Sequence, residues 1–418
     1  MGGVLMGGYT LRCLAGGEIL PENYTLSCPE HPGFIRTDYA VKQISFRENE
    51  PGLFRYMDWL PVHTSLPTRT EPVTFQSGAL SRELGLPNLW VTFTGWYPER
   101  GCFAKTGSFK ELEALPTLVR LRENGGGTLV VASAGNTGRA FAQMGADFGM
   151  PVVLVVPASS ADKIWTVSDA VPESVRLVTV NGDYSDAIFA ADSLCRRPGY
   201  FPEGGGKNVA RRDGMGTVML SAARAIGHMP DHYVQAVGSG TGGIAAWEAA
   251  MRLAADGRFG SRLPNLHLAQ NLPFVPMVRA WKRRSQKIED GDMPADAAAA
   301  VREVSAQVLT NRFPPYSVKG GVFDSLSACG GDMYAVSNAE AADAAKLFAD
   351  AENGTDLDPA AAVALAALRQ AVSSGAIQKS DTVALNCTGG GYARIAKECR
   401  TVKIPVCLNI QPGEEILL

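Results

Sequence analysis

Three short segments hold residue types that could do chemistry, and each lies where a strand-like run meets a helix-like run. The first is Ala104-Lys-Thr-Gly-Ser-Phe-Lys-Glu111, followed by a helical pattern through Leu112, Leu115 and Leu118. A lysine just inside a helix N-terminus meets the positive end of the macrodipole. That field, together with desolvation, favours the neutral amine that attacks a carbonyl. Lys110 is therefore a candidate Schiff-base lysine, with an ordinary solvated lysine at a helix start as the competing reading. The second segment, Ser133-Ala-Gly-Asn-Thr-Gly138, joins free backbone N–H groups to short hydroxyl and amide side chains, a set suited to a carboxylate or phosphate. An ordinary capped turn would look the same. The third, Gly238-Ser-Gly-Thr-Gly-Gly243, has four glycines in six residues, so main-chain amides can approach a phosphate at a helix start. It lacks the Lys-Ser/Thr ending of a nucleotide P-loop and fits the dinucleotide spacing poorly. The phosphate of a small cofactor suits it better.

The elements that must position these segments recur from residue 128 onward: a β-branched run, a Gly- or Asn-bearing turn, then an Ala-rich helical stretch. Strands are expected at Thr128–Ser133, Val152–Val156, Val175–Val180, Tyr233–Val237 and Leu266–Gln270, with helices at 136–148, 184–197 and 244–255. Such alternation implies βαβ units and parallel sheets, an α/β fold. Asp358-Pro359 reads as an N-cap and first helical residue, before a helix that stops near Ser373. Thr382–Asn386 then reads as a strand delivering Thr388-Gly-Gly-Gly391 to a loop. The polar stretch 286–296 is expected to be a surface loop.

Composition narrows the classes of function. Of 418 residues, 39 are Lys or Arg and 42 are Asp or Glu, a formal net charge of −3. No basic patch for nucleic acid and no acidic tail is visible, and no run of 18 apolar residues would cross a membrane. The N-terminus shows no leader pattern, and Met6 stands where myristoylation would want Ser or Thr. Eight irregularly spaced cysteines, several inside apolar runs, read as reduced thiols of a cytoplasmic protein. Cys28-Pro-Glu-His31 has a ligand-like spacing, with Cys13 nearby. A closed zinc site takes four ligands, and the turn after Cys13 offers no second thiolate, so residues 1–50 are expected to form a small metal-free subdomain.

Thr106-Gly-Ser-Phe-Lys110 resembles the Schiff-base motif of threonine synthase and its relatives, pyridoxal-phosphate enzymes of the tryptophan-synthase-β fold. The order of motifs agrees across residues 60–392: lysine loop, Asn-bearing loop, Gly-rich loop, then a C-terminal Thr-Gly segment. Within that family, Phe54–Pro61, Thr94–Arg100, Asn311–Tyr316 and Gly320–Asp324 resemble the branch of methanogenic archaea that makes L-cysteate. Ordinary threonine synthases have a shorter connection before the lysine and usually Asp where Glu111 stands.

The resemblance implies two α/β domains, a larger cofactor-binding one at 51–115 and 200–418 and a smaller mobile one at 116–199. It leaves open that 1–50 is a degenerate zinc ribbon. It implies β-replacement of the phosphate of O-phospho-L-serine by sulfite, through an aminoacrylate, early in the route to the thiol cofactor of methanogenesis. Lys110 would carry the pyridoxal 5'-phosphate and act as base. Asn136 would meet the ring 3-hydroxyl, Thr388 the ring nitrogen, and Gly238, Ser239, Gly240, Thr241 and Gly242 the cofactor phosphate. Ser133 and Thr137 would hold the substrate carboxylate. Two anionic reactants need local cations, for which Lys105, Arg100, Arg139, Arg211 and Arg212 are placed beside the loops. Threonine synthase on O-phosphohomoserine and a sulfide-using cysteine synthase share every cofactor residue; the 94–100 insertion and Pro314-Pro315 argue against them. Lys110 and Asn136 argue against a non-catalytic binding module. Relatives of this fold commonly form homo-oligomers.

Overall fold

In the computed structural model, which describes residues 8–418, the β-branched runs form the strands of two sheets. The smaller sheet has the order β12-β8-β9-β11-β18. Its strands are β8 (Thr128–Val131), β9 (Val152–Pro157), β11 (Val175–Val180), β12 (Tyr200–Pro202) and β18 (Val406–Ile410), all parallel. Every residue of β9 is buried, because helices α3 (Asn136–Phe148) and α4 (Tyr184–Leu194) pack against it. Runs such as Val-Val-Leu-Val-Val therefore need no polar face. Helix α4 starts on a capping box in which Asp183 and Asp186 exchange side-chain and backbone hydrogen bonds.

The larger sheet has the order β15-β14-β13-β16-β5-β4. Strands β5 (Leu89–Phe93), β13 (His232–Ala236), β14 (Asn265–Asn271), β15 (Asp332–Val336) and β16 (Val383–Cys387) are parallel, and edge strand β4 (Val73–Gln76) runs antiparallel to β5. Helices α5 (Val209–Ile226), α6 (Thr241–Asp256), α7 (Pro276–Lys282) and α9 (Val322–Cys329) contribute to the core on one face. On the other, α1 (Gly78–Leu84), α8 (Ala297–Glu303), α10 (Asn338–Ala351) and α11 (Pro359–Ser373) supply a second apolar cluster. The first core is continuous from Leu129 and Leu154 of the smaller sheet, through α2 (Lys110–Glu123) and α3, to α5 and α6. The two sheets are thus bridged by the helices that carry the lysine and asparagine loops.

Three shorter pieces complete the chain. Residues 9–39 form an antiparallel sheet of order β2-β1-β3, from β1 (Tyr9–Cys13), β2 (Ile19–Leu20) and β3 (Ile35–Tyr39). It is fastened to α5 through Asp213, which accepts hydrogen bonds from Thr37 and Tyr39 at 2.5 and 2.7 Å and pairs with Arg252 at 2.7 Å. The insertion before the lysine folds as a hairpin of β6 (Trp96–Tyr97) and β7 (Cys102–Phe103). Helix α12 (Tyr392–Glu398) leads to β17 (Thr401–Lys403), which pairs antiparallel with β10 (Trp165–Val167).

The observed elements differ from the sequence-based boundaries by a few residues at most, except at the C-terminus. Residues 406–410 are expected in the larger domain, yet β18 joins the smaller sheet beside β11. The edge of β11 is otherwise unpaired, and parallel pairing with a distant strand satisfies its N–H and C=O groups. Residues 200–202 likewise belong to the smaller sheet. The leader and myristoylation expectations for residues 1–7 lie outside the described residues. No described helix is long and apolar enough to cross a membrane.

Candidate active site

Lys110 is the first residue of α2, and the chain just before it is pinned to the C-terminal Thr-Gly loop. Ser108 bridges to Gly389, the Phe109 N–H donates to the Thr388 carbonyl at 2.9 Å, and the Gly390 N–H donates to the Gly107 carbonyl at 2.9 Å. Glycine is required on both sides of this contact. At Gly107 (φ +66°) a Cβ would lie 2.7 Å from the Tyr392 ring, and at Gly389 one would lie 2.5 Å from the Gly107 carbonyl oxygen. The approach brings Lys110 beside Thr388, which is buried and whose hydroxyl makes no hydrogen bond to the described residues.

The Lys110 ammonium lies 3.2 Å from the Glu113 carboxylate one turn along α2. The other Glu113 oxygen accepts from Arg211 of α5 at 2.6 Å and from the Thr137 hydroxyl of α3 at 3.2 Å. One buried carboxylate therefore ties the lysine helix, the asparagine-loop helix and α5 together. Burial works to raise the Glu113 carboxyl, but the charges of Arg211 and Lys110 outweigh it and hold the group below the usual carboxylate range. The i, i+3 spacing on a helix was the signal available in the sequence. Arg211 also pairs with Glu203. Arg212 is turned to the N-terminal sheet: it pairs with Glu248 at 3.0 Å and donates to the Ile35 carbonyl.

Asn136 opens α3, and its amide donates to Asp358 at 3.1 Å while its oxygen accepts from Arg139. Asp358 also caps α11 and accepts from the Tyr392 hydroxyl at 3.0 Å. Arg139 lies between the Trp165 and Tyr392 rings, and its buried Nε has no partner. Ser133 accepts weakly from the Gly135 N–H at 3.4 Å. The remaining expected cations are engaged elsewhere: Lys105 with Asp147 at 2.8 Å, and Arg100 with buried Glu352 at 2.9 Å while lying over Phe75.

The third loop is a cradle that side chains would fill. A Cβ would lie 2.8 Å from the Val308 carbonyl at Gly238, 2.1 Å from Val322 at Gly240 (φ +85°) and 2.1 Å from Gln235 at Gly242. Ser239 and Thr241 hydroxyls share a hydrogen bond of 2.8 Å at the start of α6. The Thr241 N–H donates to the Ser239 hydroxyl at 3.3 Å, which leaves the N–H groups of Gly242 and Gly243 for an anion. A compact phosphate with a lysine-reactive carbonyl fits this set: a glycine-rich helix start, a half-buried lysine at a second helix start, and an unpartnered hydroxyl beside it.

Comparison with known proteins agrees with the geometry. Residues 75–389 match the family model described as pyridoxal-phosphate dependent enzyme. A cysteate synthase of Methanocorpusculum labreanum is 65% identical over 409 residues, covering 98% of this chain and 99% of that protein. Another, of Methanoculleus marisnigri, is 56% identical, covering 97% and 94%. Among solved structures, diaminopropionate ammonia lyase from Escherichia coli superimposes with a TM-score of 0.57 at 16% identity, covering 81% of this chain and 88% of that one. A pyridoxal 5'-phosphate-dependent aspartate racemase gives 0.58 at 17% identity, covering 77% and 90%. These two show the shared fold. The family model matches three quarters of a chain in which Glu113 ties the lysine helix to the asparagine-loop helix, and this protein is a member of the pyridoxal-phosphate-dependent enzyme family.

Proposed function

We propose that the chain catalyses β-replacement, converting O-phospho-L-serine and sulfite to L-cysteate and phosphate. The similarity to cysteate synthases along nearly the whole of both chains carries this reading. Pyridoxal phosphate, when bound, supplies the electron sink that lets the bonds at Cα and Cβ break. Gly238, Ser239, Gly240, Thr241 and Gly242 would hold its phosphate, Asn136 and Thr388 its ring, and Lys110 its carbonyl carbon. The Lys110 amine, when free, would take the α-proton. The Glu113–Arg211 pair holds that amine in place, and Thr137 with Ser133 would orient the substrate carboxylate. Of the five expected cations, Arg139 is the best placed: it keeps an unused buried donor and pairs with no carboxylate among the described residues. Lys105 and Arg100 would have to leave Asp147 and Glu352 to serve the same role.

The test is phosphate release from O-phospho-L-serine that requires sulfite, with L-cysteate as product. Threonine formed from O-phosphohomoserine, or release that prefers sulfide, would overturn the assignment. Lys110→Ala should abolish both turnover and the visible absorbance of the bound cofactor. The free, mostly buried thiols support a cytoplasmic setting. Self-association is expected by analogy with the fold, and light scattering of the purified protein reads it directly.

A further inference from the structure

Cys13 ends β1, Glu18 stands just before β2, and Cys28 and His31 lie in the loop between β2 and β3. The fold brings one ligand atom of each to within 4.8 Å of all the others. We propose that these four residues form a closed tetrahedral site for a zinc-class divalent cation. The expectation of a metal-free subdomain rested on a missing fourth ligand. Glu18 supplies it, a residue that cysteine and histidine spacing does not reveal.

The distances suit this coordination. With Zn–S near 2.3 Å and Zn–N and Zn–O near 2.0–2.2 Å, a tetrahedron has a sulfur–nitrogen edge of about 3.6 Å and a nitrogen–oxygen edge of about 3.4 Å. The Cys28 sulfur is 3.8 Å from His31 Nδ1, and His31 Nδ1 is 3.2 Å from the Glu18 carboxylate. The second Glu18 oxygen is buried and has no hydrogen-bond partner. The turn is shaped to return that carboxylate onto Cys13: a Cβ at Gly16 would lie 2.2 Å from the Glu18 oxygen, and Gly17 has φ +86°. The Gly16 N–H also points at the Cys13 sulfur, at 3.4 Å. Both sulfurs are buried, while Glu18 and His31 are 38% exposed, which leaves a path for the ion.

Four protein ligands leave no open position, so the role is structural. A sheet of five-, two- and five-residue strands has little core of its own. The chain leaving the site reaches the cofactor loop within a few residues. Phe34 donates its N–H to the Lys319 carbonyl at 3.0 Å, and its ring meets the same glycine, Gly206, that lies against Thr241. Metal at the turn would brace the outer wall of the Gly238–Gly243 cradle.

The full-length protein, purified without oxygen and loaded with Zn²⁺, should hold about one equivalent per chain after excess metal is removed. Cys13→Ser and Cys28→Ser should each retain about a tenth of that or less, and Glu18→Gln should lose metal to a chelator about tenfold more readily. With Co²⁺, the wild type should show thiolate charge-transfer absorption and tetrahedral d–d bands, both absent from the serine variants. Circular dichroism checks that each variant folds; if a serine variant does not, the Glu18→Gln and His31→Ala proteins carry the comparison. Failure of the loaded wild type to retain metal would overturn the proposal. So would a full equivalent in the Cys13→Ser/Cys28→Ser double variant, or a Cys13–Cys28 disulfide in the protein prepared without oxygen.

Discussion

Glu111 follows Lys110, the candidate Schiff-base lysine, yet it is fully buried and no cation pairs with it among the described residues. One carboxyl oxygen accepts from the Thr106 N–H and the other from the Thr70 hydroxyl, both at 2.6 Å. Burial pushes its pKa up to about 7, against the opposing effect of those hydrogen bonds. In the unfolded chain it titrates near 4.5. The native state therefore holds a proton that the unfolded state releases between those values, and stability falls as pH rises through the window. At about 1.4 kcal/mol per unit, the shift is worth roughly 3 kcal/mol, most of which falls between pH 5 and pH 8.

Glu111→Gln removes the titration while keeping an acceptor for Thr106 and a polar partner for Thr70. Urea unfolding of the cofactor-saturated wild type and variant, at pH 5 and pH 8 and constant ionic strength, should show the variant gaining roughly 2–3 kcal/mol on the wild type across that range. A difference that stays flat within about 0.5 kcal/mol would refute the raised titration of Glu111.

Other substitutions probe the site and its supports. Glu113→Gln leaves the Lys110 ammonium and Arg211 without their shared anion, and kcat should fall about 100-fold while the cofactor absorbance persists. Gly240→Ala forces a side chain at φ +85° into Val322; cofactor affinity, titrated by fluorescence on the apo-protein, should weaken about tenfold or more. Asp213→Asn strips the buried charge that meets Thr37, Tyr39 and Arg252, and urea unfolding should report a loss of about 3–5 kcal/mol.

The α/β architecture was legible because its signals are short-range. The spans 136–148 and 175–180 coincide with the observed helix and strand, since buried β-branched runs and Gly- or Asn-marked turns act within a few residues. The placement of the candidate cofactor residues was legible for the same reason. Lys110, Asn136 and the 238–243 loop each stand at a helix start, where free N–H groups and glycine's conformational freedom are properties of a local segment.

What distant segments do to one another was decided by the tertiary structure. Glu113 faces Arg211 from 98 residues away, Asn136 is bound by Asp358 from 222 residues away, and β18 closes the smaller sheet from the far end of the chain. Glu18 becomes a candidate ligand only when the β1–β2 turn folds it over Gly16. Lys105 and Arg100, positioned by sequence for substrate, are taken up by Asp147 and Glu352. Charge partners are chosen by packing and burial across the whole chain, because a buried ion must find a counter-charge wherever the fold supplies one. Local pattern thus set which residues stand at the loop and helix ends, and packing between distant segments settled which of them meet.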